Sequence, residues 1–92
     1  MKKYEYKELT KFTPEDEDGM VIDFPAGCIS KDQHTELLEI IGNQTGCCGV
    51  GTYQKTGACS LAVMNTGEPE TWKKKEKNIK KLVDNYIEKE YN

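Results

Sequence analysis

Ninety-two residues, 36% of them hydrophobic and 32% charged, suffice for one modest core. They imply a single domain over residues 1–92 and exclude the polar regime in which chains stay unfolded. The thirteen basic residues are all lysines and the net charge is −3. Without the planar guanidinium fork and a positive field, sequence-specific nucleic-acid reading and phosphoryl transfer are not expected. No apolar run approaches the ~18 residues that cross a bilayer. The N-terminal MKKYEYKELT has no apolar stretch behind its lysines, so the expectation is no secretory signal, no membrane and a reducing cytoplasm.

In chain order, residues 3–9 alternate, with Tyr4 and Tyr6 on one face and Glu5 and Lys7 on the other, which predicts a half-buried strand. Pro14, the four acids Glu15, Asp16, Glu17 and Asp18, and Gly19 read as a solvated turn. Met20, Ile22 and Phe24 share one face of a second strand that Pro25 ends. Ser30 with Gln33 three residues on fits a capping box, and His34, Leu37, Leu38 and Ile41 recur at helical spacing. With Gly42 and Asn43 as the left-handed stop, the predicted helix covers residues 31–42.

The stretch from Thr45 to Met64 holds three of the four cysteines and predicts two more strands around a turn at Lys55, Thr56 and Gly57. Cys48, Val50 and Thr52 are expected to face the core with Cys59, Leu61 and Val63. Gly49 and Gly51 suggest a bulge or a close backbone approach. From Pro69 to about Glu90 the stripe Trp72, Ile79, Leu82, Val83, Tyr86 and Ile87 predicts a long helix. Polar Lys75 and Glu76 interrupt its apolar side, so one end is expected to project or to lie against a partner. The order β-β-α-β-β-α could repeat a ββα unit, although the halves share no residue-level similarity. It predicts an α+β domain whose antiparallel four-stranded sheet carries both helices on one face.

For the cysteines the expected role is core filling by Cys28, Cys48 and Cys59. The alternatives are a Cys28–Cys59 disulfide, a reactive thiol, or zinc held by Cys28, Cys47 or Cys48, Cys59 and His34. No CxxC pair supports a zinc site, and a Cys47–Cys48 disulfide would be strained. The glycines Gly46, Gly49 and Gly51 follow a helix and precede a strand, the reverse of a phosphate-binding loop. The acidic run lacks the alternating ligands of a calcium loop. His34 reads as a packing residue on its stripe, with no nucleophile or carboxylate set beside it.

Lys73, Lys74, Lys75, Lys77, Lys80 and Lys81 surround a single acid, Glu76, within nine residues. Most of them lie off the apolar stripe and form a solvated face that could meet an anionic partner. No pair of titratable groups is placed for acid–base work, so no enzyme and no cofactor is expected. The functional expectation is a small intracellular module that binds a larger protein stoichiometrically, such as an inhibitor or adaptor of a phage or mobile element. Its contacts would come from Lys73, Lys74, Lys77, Lys80 and Lys81 and from Glu15, Asp16, Glu17 and Asp18. The alternatives are a thiol or zinc protein using Cys47, Cys48 and Cys59, and a homodimer that binds a small molecule against its glycine-rich stretch.

Overall fold

The computed structural model describes residues 4–91. Its elements are β1 (Glu5–Glu8), β2 (Gly19–Phe24), α1 (Lys31–Thr45), β3 (Cys48–Tyr53), β4 (Cys59–Met64), a 3-10 turn (Pro69–Thr71) and α2 (Trp72–Tyr91). The strands form one antiparallel sheet in the order β1-β2-β4-β3. This is the expected β-β-α-β-β-α domain. The predicted beginning of β1 at Lys3 lies outside the described residues.

The sheet order is symmetric about the β2–β4 junction, where Met20 pairs with Val63, Ile22 with Leu61 and Phe24 with Cys59. Each half is a hairpin followed by a helix. Each helix packs chiefly over the other half: α1 over β3 and β4, α2 over β2. The suggested ββα repeat is therefore present as an arrangement of backbone, without a repeated sequence.

One face of the sheet carries both helices. Met20, Ile22, Phe24, Cys59, Leu61 and Val63 are buried there against Leu37 and Ile41 of α1 and Ile79 and Val83 of α2. Burying each such aliphatic side chain contributes about 1.5–3 kcal/mol. The opposite face is open and carries the Lys7–Asp23 ion pair at 2.9 Å. Within α2, burial recurs from Trp72 to Ile87, and Glu88 and Lys89 beyond that span are exposed. Lys75 interrupts the stripe because its Nζ reaches Asn65 Oδ1, 3.1 Å away, in the loop after β4. Pro69 begins the 3-10 turn, and α2 itself begins at Trp72.

The capping box opens α1 as expected. Gln33 N donates to Ser30 Oγ at 3.1 Å, and Ser30 N donates to Gln33 Oε1 at 2.8 Å. Ser30→Ala should therefore cost about 1 kcal/mol, read as a lower urea midpoint with an unchanged slope. The end of α1 differs from expectation. The helix runs through Gly42 and Asn43 to Thr45, and Gly46 (φ 74°) makes the left-handed cap with its N–H on Gly42 O. Of two glycines four residues apart, the stop is the one after which the chain must turn into a strand.

In β3 the expected faces are exchanged. Gly49 lies opposite Val63, Gly51 opposite Leu61 and Tyr53 opposite Cys59. The glycines thus face the helices, while Cys48, Val50 and Thr52 face the open side. No bulge interrupts the six pairs. The reason is the approach of α1. A Cβ on Gly49 would come within 2.6 Å of Leu38 Cδ1, and one on Gly51 would overlap the His34 ring. Bare backbone at these two positions lets α1 settle directly onto β3. The turn after β3 falls where expected, with Gly57 N donating to Gln54 O at 3.0 Å and Gly57 at φ 93°.

Candidate functional site

On α2, Lys73, Lys74, Lys77 and Lys81 are exposed. Lys74, Lys77 and Lys81 follow one another at i, i+3 and i+7, so they line up along the solvent side. Among the described residues none of these four ammonium groups is paired with a carboxylate. Lys80 differs. Its Nζ lies 5.6 Å from the centroid of the Tyr6 ring, and its backbone carbonyl accepts the Tyr6 hydroxyl at 3.1 Å. That lysine helps hold β1 onto α2, together with Asp84, whose Oδ1 accepts from Tyr4 at 2.5 Å and Tyr6 at 2.8 Å.

The acidic run divides in the same way. Asp16 closes its own turn. Its Oδ2 accepts from Phe12 N at 2.6 Å and Thr13 N at 3.0 Å, and its Oδ1 accepts the Thr13 hydroxyl at 3.1 Å. These donors, the backbone N–H of Phe12 first, hold the Asp16 carboxyl below the usual carboxylate range. Asp18 Oδ1 takes Lys11 Nζ at 3.2 Å. Glu15 and Glu17 are left exposed and pointing to solvent. Of the nine charged residues expected at an interface, Asp16, Asp18 and Lys80 thus have work inside the fold.

Sequence patterns missed the most exposed large apolar side chain among the described residues. Phe12 is 88% exposed, at the tip of the loop that Asp16 and the Lys11–Asp18 pair hold together. Its position inside a polar turn, outside any alternation, was the signal available. The loop's base is tied to the neighbouring strand, just past the end of β4, by Asn65 N donating to Asp18 O at 2.7 Å. That bond sets the loop at the end of the sheet where β4 leads into α2, the end that also carries Lys73 and Lys74.

The thiols do not converge. Cys47 and Cys59 are buried, Cys28 is half-buried, Cys48 is exposed, and none of the four forms a disulfide. The adjacent pair splits into one buried and one exposed side chain. The buried member is Cys47, which shares the helix-facing parity of Gly49 and Gly51, and the core role expected of Cys48 belongs to it. Burial first, then the nearby Cys28, pushes the Cys59 thiol up to about 11, the reverse of what a reactive thiolate needs. Among the described residues no three His, Cys, Asp or Glu side chains are grouped to hold a metal ion. His34 is buried with its Nε2 2.9 Å from Ser60 O. A carbonyl can only accept, so that nitrogen carries the proton and serves packing.

The space above the β3 glycines is filled by Leu38 and His34, so they line no cavity on the helix side. A depression of about 430 Å³ lies instead at the hairpin end of the sheet, between Glu5 and Asp23 on one side and Gln54 and Ala58 on the other. No helix among the described residues is long and apolar enough to cross a membrane. Comparisons with protein-family models, with curated proteins and with solved structures give no significant match to the chain.

Proposed function

We propose that the protein is a small cytoplasmic binding module that engages a larger protein stoichiometrically and without catalysis, as an inhibitor or adaptor does. The observation that carries this reading is Phe12, an aromatic ring exposed on a loop that the Asp16 hydrogen bonds hold in one shape. Buried aromatic anchors dominate binding energy at protein interfaces, and holding such an anchor in place beforehand lowers the entropy cost of docking. Exposing a phenyl ring to water has no benefit to the isolated fold. The unpaired Lys73, Lys74, Lys77 and Lys81 supply a charged surface that steers an acidic partner towards the same molecule.

The test is capture from a lysate of the native source with the tagged protein, its Phe12→Ala variant and the triple variant Lys73→Glu, Lys74→Glu, Lys77→Glu. A stoichiometric partner is expected on the wild type. Phe12→Ala should weaken it at least about tenfold, as loss of an interface anchor does, and the triple variant should lose it at low salt. Recovery of no stoichiometric partner, or equal recovery by all three proteins, would overturn the reading.

A further inference from the structure

The two edges of the sheet are built differently. β1 is four residues long and carries Glu5, Lys7 and Glu8, the short charged edge with which proteins discourage strand addition. β3 is six residues long, with no charge and no proline. Between Ile40 and Gly67 the only charged residue is Lys55, although 32% of the chain is charged. Among the described residues, the exposed large apolar side chains besides Phe12 are Val50 and Tyr53, both on β3.

The turn determines which backbone groups are free. Gln54 N donates to Ala58 O at 2.8 Å. Bonded and non-bonded pairs alternate along an antiparallel ladder, so Thr52, Val50 and Cys48 bond towards β4. The N–H and C=O groups of Gly49, Gly51 and Tyr53 point outward.

We infer that a second copy of the chain adds its β3 antiparallel to this edge, about a two-fold axis at Gly51, so that two four-stranded sheets become one continuous layer. The axis stands perpendicular to the sheet and leaves the helices of both copies on the same side. In this register Gly51 meets Gly51 of the second copy and exchanges both backbone bonds with it. Gly49 meets Tyr53, on the helix side, and Val50 meets Thr52, on the open side. The Gly49–Tyr53 and Val50–Thr52 contacts each occur twice, as an isologous interface requires. An aromatic ring across from a strand glycine covers backbone that the glycine leaves bare, and Val–Thr is a favourable β-branched cross-strand pair. A charge at the axis would meet its own kind in a second copy, and β3 carries no charge at any position.

Sedimentation equilibrium under reducing conditions, which exclude a Cys48 disulfide, tests the inference. Between ~5 μM and ~500 μM the mass should rise from 10.5 kDa towards twice that value. Over the same range the amides of Gly49, Gly51 and Tyr53 should exchange at least about tenfold more slowly, while β1 amides do not change. The variant Val50→Lys/Thr52→Lys, altered only at exposed side chains of the open face, sets lysine against lysine on both sides of the axis and should remain monomeric. A mass of 10.5 kDa throughout, a double variant that dimerises like the wild type, or dimerisation that leaves the three amides unchanged would overturn it. So would a monomer whose three amides slow only when an extended foreign peptide is added. Should the double variant fail to fold, the wild-type exchange measurement decides alone.

Discussion

Gly51→Val should bring the protein close to unfolding at room temperature, whereas Gly42→Ala should make it more stable. A Cβ at residue 51 has no room, because the His34 ring lies over the strand with Nε2 2.9 Å from where that atom would sit. Either β3 or α1 must retreat. Overpacking of this kind costs about 1–3 kcal/mol, and breaking the His34–Ser60 hydrogen bond leaves a buried N–H unsatisfied for about 1–3 kcal/mol more. Together these approach the whole stability expected of a domain this size, about 5–15 kcal/mol. At residue 42, within α1, a Cβ would meet only Cys47 O at 3.8 Å, an ordinary contact. There the substitution only removes glycine's penalty in a helix, about 0.5–1 kcal/mol. Urea unfolding of both variants checks the opposite signs. His34→Ala combined with Gly51→Val should cost less than the sum of the two single changes, because the collision exists only when both groups are present.

Asp84→Ala should be the most damaging change at a partly exposed position. One carboxylate oxygen accepts both the Tyr4 and the Tyr6 hydroxyls, and those bonds attach β1 to α2. Removing it leaves the buried Tyr4 hydroxyl without that acceptor, while Tyr6 keeps its bond to Lys80 O. A loss of about 2–4 kcal/mol is expected from two charge-assisted bonds and one stranded hydroxyl. Asp84→Asn keeps an oxygen acceptor and should cost less.

The same cluster makes the fold sensitive to alkali. Burial first, and then the Asp84 carboxylate, raise the pKa of both tyrosines above the ordinary 10.0. The folded state therefore holds these two protons more tightly than the unfolded chain does. Their contribution to stability is complete below pH 10 and shrinks as the pH climbs beyond it. The melting temperature should fall steeply above pH 10. Ultraviolet titration should show at least two of the five tyrosines, Tyr4 and Tyr6, ionising only together with unfolding. Four or more tyrosines ionising near pH 10 in the folded protein would contradict the burial of this cluster.

Local chemistry was enough to specify most of the frame. Alternation of Met20, Ile22 and Phe24 identified β2 and its buried face. The Ser30–Gln33 box marked the first turn of α1 to the residue. The stripe from Trp72 to Ile87 defined α2, since a helix or strand that must bury one face repeats apolar residues at its own period. The candidate surface was legible only in part. The lysines of α2 were identifiable because the charges cluster, but the turn geometry that occupies Asp16 and leaves Phe12 in solvent depends on backbone positions that no charge count reveals.

What the sequence alone determined about this protein is which segments become strands and helices and that one sheet carries both helices, because periodicity and capping act within a few residues. Only the tertiary structure decided which face of β3 turns inward and which cysteine is buried. Glycine has no side chain to mark a buried position. Gly49 and Gly51 face the core because α1 approaches there too closely for a Cβ, and that constraint comes from a helix four to twenty residues earlier in the chain rather than from neighbours along the strand. The same packing sends Cys47 inward, turns Val50 to the open side and leaves an uncharged strand as one edge of the sheet.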